Sequence, residues 1–539
     1  MSARADDDAP ARWFLSADER GNTHTRLAGA TPSGRSWTVG NSVEPVVHGA
    51  DYFRRLLEHV TDLQAGDQIF FTDWRGDGDQ RLRAEGPTVH ELFCRAARRG
   101  VEVRGLLWRS HSDHFSFSAQ QNQRLGTELN HAGAEVLLDQ RVRRFGSHHQ
   151  KLLILLRRRA PAEGVAYVGG IDLCNSRRDD AAHLGDPQPQ PMDPRYGARP
   201  PWHDLTMAVR GPAFAELLET FAERWDDPTP LDRRTPYRMV LQRRADMPRR
   251  PRPLPPRDAA PPPCGDQAVQ VLRTYSRKRP RFPFAPHGER SIARAYDKAF
   301  GLAHSLIYIE DQYLWSPVVA RLLVAALRRA PTLHLIAVVP RFPDSDGRFT
   351  GPMNRIGQIR AIAMLRAAAP DRVGVFDLEN AAGTPIYVHA KTCLVDDVWF
   401  TCGSDNFNRR SWTSDSELTC AVVDARRDLR EPTMLDGHGA GARVTARQLR
   451  LQLWAEHLGL APDDPRLLTG DLLALWTARA AALDHWHIAG GTGPRPPGHA
   501  RRHDSAPVSR SQRLLAGPLY SIVADPDDRS RRQRRRHEL

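Results

Sequence analysis

Two segments of the chain place a histidine and a lysine one residue apart. The first pair is His149 and Lys151 and the second is His389 and Lys391, with the same spacing between the histidines as between the lysines. In an extended strand alternate side chains share a face, so each histidine points the same way as its lysine. Near neutral pH one imidazole can attack phosphorus while another protonates a leaving oxygen, and ammonium groups can neutralise phosphoryl oxygens. The four residues predict a phosphodiester-cleaving site that needs no metal or other cofactor.

The duplication extends beyond these pairs. Each one leads through a β-rich run and a turn to a second β-rich run, which ends in two small residues, Gly169 and Gly170 in the first copy and Gly403 and Ser404 in the second. A repeat on this scale predicts two similar structural units. If the units pack about a pseudo-twofold axis, both His–Lys pairs meet in one cleft.

Length and composition describe a folded, basic protein. The 539 residues include 77 Lys+Arg and 64 Asp+Glu, a net charge of +13, and 40% are hydrophobic. These values exclude a wholly disordered chain and predict an acidic partner, such as nucleic acid, an anionic membrane surface or a phosphorylated ligand. The sequence contains no apolar run of membrane-spanning length and no N-terminal signal pattern. Six scattered cysteines indicate reduced thiols, so we expect a cytoplasmic protein.

The pattern of elements predicts an α/β fold. Short β-rich runs alternate with helical patterns in two blocks, which predicts two similar mixed-sheet α/β sandwich halves with helices outside and one active-site cleft between them. Proline, arginine and charge patterns separate these blocks from looser segments. The expected divisions are 1–40 (loose N-terminus), 41–227 (first half), 228–266 (Pro- and Arg-rich linker), 267–425 (second half), 426–488 (helical extension) and 489–539 (basic, disordered tail).

These motifs resemble those of the phospholipase D superfamily, which is defined by a duplicated HxKxxxxD motif. The second copy is complete, with Asp396 after His389 and Lys391, but the first copy has Leu156 at the position of the aspartate. The flanking segments HHQK, GGIDLC, PWHDLTMAVRGPA, IYIEDQY and DSE resemble eukaryotic-type phospholipases D more than the nucleases of the superfamily. The resemblance covers roughly residues 45–425.

Strand parity bears on the missing aspartate. Position 156 lies an odd number of residues from His149 and Lys151, so a regular strand directs it to the opposite face. Asp396 has the same relation to the second pair. We therefore expect Asp396 to be structural, and Leu156 to replace an aspartate by apolar packing without loss of activity.

The resemblance also implies which carboxylates orient the two imidazoles. It assigns Glu417 to His389 and Asp179 to His149, with the adjacent Asp180 as a competitor. A surface salt bridge with a neighbouring arginine is an equal alternative role for Asp179.

Further residues have roles by resemblance or position. Asn406 resembles a residue that donates to phosphoryl oxygens, and its counterpart Asp172 is expected to accept hydrogen bonds from backbone or lysine. Trp74 and Tyr313 follow strands, where they either line the cleft mouth and bind a choline-like head group or pack in the core. Gly169, Gly170, Gly403 and Ser404 are assigned a structural role in the motif.

The resemblance implies a phospholipase D activity that releases phosphatidic acid and an alcohol. His149 attacks, a phosphohistidine forms, His389 protonates the alcohol, and transphosphatidylation is a side activity. The alternatives are a nuclease or other phosphodiesterase of the superfamily, and a catalytically impaired binder of anionic lipid. We expect a monomer that contacts membrane peripherally, with nucleic acid as the less favoured partner. His111 and His114 lie at helical spacing without a third ligand nearby, which favours a loop role over a metal site.

Overall fold

The computed structural model describes most of the chain. The described residues are 9–27, 35–109, 119–143, 146–231, 250–255, 260–344, 350–435, 441–468, 471–504, 520 and 525–536. His111 and His114 lie outside these ranges, as do residues 232–249 of the expected linker.

The first half is built on one mixed sheet. The strands of this half are β1 (Thr38–Val47), β2 (Gln68–Asp73), β3 (Glu102–Trp108), β4 (Glu135–Asp139), β5 (Leu152–Leu156), β6 (Val165–Gly169), β7 (Trp202–His203) and β8 (Leu205–Arg210). The short β7 lies outside this sheet and pairs with a strand of the second half. The order in the sheet is β1-β8-β6-β5-β2-β3-β4, in which only the β2–β3 and β3–β4 pairings are parallel.

The second half repeats this topology. Its strands are β9 (Gln267–Tyr275), β10 (Glu289–Arg290), β11 (Leu306–Asp311), β12 (His334–Val338), β13 (Val373–Glu379), β14 (Pro385–Val388), β15 (Lys391–Val395), β16 (Trp399–Gly403), β17 (Glu417–Asp424) and β18 (Ala500–Arg502). The order β9-β17-β16-β15-β11-β12-β13 matches the first sheet strand for strand, and again the last two pairings are parallel. The edge strands β1 and β9 pair with each other and join the sheets. The expected duplicated α/β fold is confirmed.

Helices cover the sheets. They are α1 (Ala9–Trp13), α2 (Ala17–Arg20), α3 (Gly49–Thr61), α4 (Val89–Arg98), α5 (Ala119–His131), α6 (Ala213–Trp225), α7 (Ser291–Leu302), α8 (Pro317–Arg329), α9 (Thr350–Ala368), α10 (Arg409–Thr413), α11 (Val444–Leu458), α12 (Leu472–Ile488) and α13 (Arg531–Arg536). None of the helices in the described ranges combines the length and apolar character required to cross a bilayer.

Strand β5 shows how the strands are buried on both faces. Its leucine-rich sequence has no polar position, as expected for a strand covered on both sides. Ile154 and Leu156 face a core shared by the two sheets, where Leu394 of β15 also lies, whereas Leu153 and Leu155 face the helices of the first half. Leu156 is therefore a packing residue, 6% exposed, as strand parity predicts.

A carboxylate stabilises the end of the His–Lys strand in each half, but from different positions. After β15, Asp396 accepts backbone hydrogen bonds from residues 304–306, each at 2.8 Å. In the first half Asp67, just before β2, accepts from the backbone N–H of Arg158 at 2.9 Å and of Gln64 at 2.8 Å. In the first half, Asp67 beside the neighbouring strand β2 thus supplies the carboxylate that Asp396 supplies in the second half. Leucine at position 156 therefore does not deprive the first half of this group.

Both terminal regions differ from the expected loose segments. Trp13 is 1% exposed in the second-half core, and a capping box at Ser16 begins α2. In the expected disordered tail, β18 pairs with β13, and the backbone N–H of Arg410 donates to the buried Asp525. The expectation of loose termini was wrong for the described parts. Average composition does not reveal that single buried residues, such as Trp13 and Asp525, attach these segments to the core.

Candidate active site

The two His–Lys pairs lie at the same point of each half, at the beginning of β5 and of β15. Burial holds the pKa of His389 well below its usual value, and the charges of Lys391, Arg177, Lys151 and His149 lower it further. Backbone hydrogen bonds cross between the halves at both pairs: the N–H of His149 donates to the oxygen of Ser416 at 2.9 Å, and the N–H of His389 donates to that of His203 at 2.8 Å. The geometry brings both pairs into one site, as the duplication predicts.

Each histidine is held by a carboxylate from the opposite half. Nδ1 of His149 lies 2.9 Å from Oε2 of Glu417, the first residue of β17. Nδ1 of His389 lies 2.6 Å from Oδ2 of Asp204, between β7 and β8. A hydrogen bond from Nδ1 fixes the tautomer and leaves Nε2 of each ring available for chemistry.

The expected pairing of carboxylates and histidines was therefore wrong. Glu417 contacts His149 rather than His389. Asp179 instead accepts backbone hydrogen bonds from Trp202 at 2.8 Å and Gly185 at 3.1 Å, so it organises the loop before β7. The exposed neighbour Asp180 accepts from the backbone of Ala182. Both carboxylates, Glu417 and Asp204, contact their histidines across the junction between the halves. The positions of these residues along the chain do not predict such contacts.

A sequence signal for the correct pair was present. Asp204 begins the segment DLTMAV and Glu417 begins ELTCAV, at the matching strands β8 and β17 of the two sheets. An acidic residue before the same Leu-Thr pair in both copies is a second element of the repeat. Aligning the repeats through these strands would have identified Asp204.

The small-residue pairs make room for these carboxylates. A Cβ on Gly170 would lie 2.2 Å from Oδ1 of Asp204, and a Cβ on Gly169 would lie 2.3 Å from the backbone of Thr206. In the second half Ser404 occupies the position of Gly170 and donates to Oε2 of Glu417 at 2.5 Å. A Cβ on Gly403 would meet the side chain of Thr419 at 2.0 Å. The motif glycines therefore permit close approach of the strands that carry the acids.

The two lysines have different environments. Nζ of Lys151 lies 3.2 Å from Oδ1 of Asp172, the ion pair expected for that residue. Nζ of Lys391 lies 3.4 Å from Oε1 of Gln312, and burial lowers the pKa of Lys391 to about 8. The amide Oδ1 of Asn406 is buried without a hydrogen-bond partner among the described residues.

A second carboxyl group lies beside Asp172. Burial and the neighbouring charge of Asp172 raise the pKa of Asp73 well above its usual value. Burial also acts to raise the pKa of Asp172, but the charges of Lys151, which it faces, and of Arg177 lower it. Asp73 also accepts from the backbone N–H of Leu173 at 2.9 Å. Asp311 in the second half makes the matching contact with the backbone of Phe407 at 3.0 Å.

Aromatic rings surround the two histidines. The Trp74 ring lies edge-on to His149 with 6.1 Å between centroids, whereas Tyr313 stacks on Trp315 at 3.8 Å. Trp202, which the sequence analysis did not select, lies 5.1 Å from the His389 ring. Trp74 thus lies beside His149 of the first His–Lys pair.

Fold and geometry define a duplicated α/β protein in which two halves share one His–Lys centre. The chain belongs to the phospholipase D family: the family model described as Phospholipase D matches residues 77–319 and 373–487, one segment around each pair. It is 26% identical over 500 residues to phospholipase D A of Dictyostelium discoideum, covering 78% of this chain and 36% of that protein. It is 25% identical over 555 residues to phospholipase D alpha 2 of Oryza sativa subsp. japonica, covering 77% and 65%.

The chain therefore spans between about a third and two thirds of the length of these relatives. Among solved structures, it is similar to phosphatidylserine synthase of Haemophilus influenzae Rd KW20, with a TM-score of 0.49 and 13% identity over 72% of this chain and 83% of that one.

Proposed function

We propose that the protein is a phospholipase D, which hydrolyses the distal phosphodiester of glycerophospholipids to phosphatidic acid and an alcohol without a metal in the chemical step. The observation that carries the proposal is that each histidine is hydrogen-bonded to a carboxylate of the other half. These bonds orient both imidazoles in one site that also holds the two lysines. The names of the relatives favour a phospholipid over other phosphodiesters.

In the first step, Nε2 of His149 attacks phosphorus and the bond from phosphorus to the head-group oxygen breaks. His389 enters this step as an imidazolium held by Asp204 and gives its Nε2 proton to that oxygen, so the alcohol leaves neutral and the ring keeps its Nδ1–H. We assign the nucleophile to His149 because its partner Glu417 is fixed by a second hydrogen bond, donated by Ser404. The lysines neutralise the non-bridging oxygens as charge builds on them.

In the second step, His389 removes a proton from water, and the resulting hydroxyl attacks phosphorus while the bond to His149 breaks. An alcohol in place of water gives transphosphatidylation. Burial raises the pKa of Asp204 to about 6 and lowers that of His389. An imidazole of lowered proton affinity gives up its proton readily, and the hydrogen bond to Asp204 holds the ring in place for the reverse transfer from water.

The two alternatives predict different products. A nuclease would cleave single-stranded DNA, and an impaired protein would bind anionic vesicles without turnover. The packing of Leu156 in the apolar core favours an intact site over an impaired one.

The experiment incubates the full chain with phosphatidylcholine–phosphatidylglycerol vesicles and, separately, with single-stranded DNA, with and without EDTA. Phosphatidic acid is measured by mass spectrometry. We expect release by the wild type, loss of release in His149→Ala and His389→Ala, and retention in the control His90→Ala, whose half-buried ring lies on α4. DNA cleavage without phosphatidic acid, or vesicle binding without either product, would refute the proposal.

A further inference from the structure

A second group of histidines lies directly behind Asp204. It consists of His48 at the beginning of α3, His183 in a loop, His203 in β7 and Glu456 in α11, which we call the histidine cluster. The three imidazoles are buried, and one ligand atom from each of the four residues lies within 4.8 Å of the others. The proposed reaction uses none of these side chains.

The distances within the histidine cluster match a tetrahedral site. Nε2 of His48 lies 2.8 Å from one oxygen of Glu456, and Nε2 of His183 lies 3.0 Å from the other. Nδ1 of His203 lies 3.8 Å from that second oxygen. Zinc bonded to nitrogen and oxygen at about 2.0–2.1 Å holds its tetrahedral ligand atoms roughly 3.3 Å apart, within the range of these separations.

The outer hydrogen bonds of the cluster also match a metal site. The second nitrogen of His203 lies 2.8 Å from Oε2 of Glu310, and the second nitrogen of His183 lies 3.1 Å from the backbone oxygen of Trp202. Glu310 is itself fixed by His457 at 2.8 Å. Metal-bound histidines usually donate their other N–H to a carboxylate or carbonyl in this way.

These bonds determine where the imidazole lone pairs point. A carbonyl oxygen only accepts, so Nδ1 of His183 donates to it, and Nε2 of the same ring is directed at Glu456. His203 donates from Nε2 to Glu310, and its Nδ1 lacks a hydrogen-bond partner among the described residues. Nitrogens of three buried imidazoles thus converge on one buried carboxylate, and a cation among them would satisfy all four groups at once.

We propose that the histidine cluster binds one structural zinc ion, with His48 Nε2, His183 Nε2, His203 Nδ1 and a Glu456 oxygen as ligands. Three imidazole nitrogens and one carboxylate oxygen suit zinc better than calcium or magnesium, which prefer oxygen. Four protein ligands close the coordination shell, so the ion takes no part in bond cleavage. The proposal does not depend on the proposed activity.

Zinc at this position would connect the first half to α11 and brace the catalytic centre. The backbone N–H of His48 donates to the backbone oxygen of Asp204 at 2.9 Å, and the backbone N–H of His389 donates to that of His203 at 2.8 Å. Ligand residues are thus bonded to both members of the Asp204–His389 pair. The zinc ligands act as positioning residues for His389.

The test measures zinc in the full chain purified without chelator. Elemental analysis after dialysis should give about one zinc per chain for the wild type and for the control His499→Gln, a neighbouring ring whose Nδ1 bonds the backbone of Glu379. The double variant His48→Gln/Glu456→Gln should contain less than about 0.1. Glu310→Gln, which removes an outer partner, should weaken zinc binding about 10–100-fold.

Apoprotein titrated with Co²⁺ gives an independent readout. We expect a visible absorption band of tetrahedral cobalt that saturates at one equivalent and is displaced by zinc, with a higher melting temperature in the metal-bound form. A folded apoprotein that binds no stoichiometric zinc, another metal at that stoichiometry, or equal zinc in wild type and double variant would each overturn the proposal. These measurements use no substrate, so their failure is separate from failure of the proposed activity.

Discussion

Replacing Lys391 with methionine is expected to stabilise the protein while it abolishes turnover. Lys391 is 1% exposed, and its ammonium group donates to Gln312 and to the backbone oxygen of His389. Burial lowers the pKa of Lys391 from 10.5 to about 8, so the folded protein binds this proton much more weakly than the unfolded chain does. Methionine has a similar length and no charge.

The size of the effect follows from that pKa. A tenfold change in proton affinity corresponds to about 1.4 kcal/mol, so the buried charge costs about 3 kcal/mol of stability at pH 7. Asp204 loses a cationic neighbour in the variant, which reduces the expected gain to about 1–3 kcal/mol. The cost is fully present below pH 8, where both states are protonated, and disappears as the pH rises toward 10.5, where both are neutral.

Thermal melting at pH 7 and pH 10 tests this reasoning. With an unfolding entropy of about 2.1 cal/mol/K per residue, Lys391→Met should melt about 1–3 °C higher than the wild type at pH 7, and the difference should shrink at pH 10. Lys298→Met, which removes an ion pair of 2.8 Å with Glu19, serves as the control and should not show this gain. A lower melting temperature for Lys391→Met at pH 7, or an equal gain at both pH values, would refute the argument.

Three further outcomes are expected. In steady-state kinetics, Asp204→Asn and Glu417→Gln should each lower kcat by about 10²–10⁴-fold because the imidazole tautomer is no longer held, whereas Asp179→Asn should change kcat by less than about tenfold; an equal loss in all three would contradict the exchanged pairing. Leu156→Asp should lower the melting temperature, since it places a carboxylate in the core between the sheets, but leave the activity of the folded protein within about threefold, and a large gain would disprove the packing role. The pH profile of kcat/KM should fall above about pH 8 as Lys391 loses its proton, and a level profile to pH 9.5 is the contrary result.

The duplicated fold and both His–Lys pairs could be predicted because they depend on local spacing. His149 and Lys151 identify themselves by their separation, and the second pair repeats it with the same flanking strand. The α/β pattern likewise follows from periodicity within each block. The structural place of Leu156 followed from parity alone, since alternation in a strand is a property of the backbone.

The carboxylate partners could not be predicted in this way. Which acid meets which histidine depends on how the two halves dock, and docking brings Glu417 to His149 across 268 positions of the chain. The family resemblance assigned Asp179 to His149, whereas Asp179 accepts backbone hydrogen bonds in its own loop. The similarity between DLTMAV and ELTCAV is the sequence feature that identifies Asp204 and Glu417 as equivalent residues. It is recognised when the repeats are aligned through β8 and β17.

The terminal segments show a limit of composition as a guide. The frequent arginines in these segments favoured the prediction that they are disordered. In the structure, however, many of these charges are paired. Arg20 lies 2.8 Å from Glu289, and Asp528 lies 3.0 Å from Arg143. Partners that are distant in sequence neutralise these side chains, and a window of local sequence does not contain them.

Because each histidine is held by a carboxylate of the other half, the site cannot form until both halves have been synthesised. The ribosome releases the first half long before residue 417, so a nascent chain carries His149 with no group to set its tautomer. Reactivity toward phosphodiesters would begin only once the second half has emerged and docked. Under the proposed function, the chemistry would therefore wait until both halves have been made and have docked.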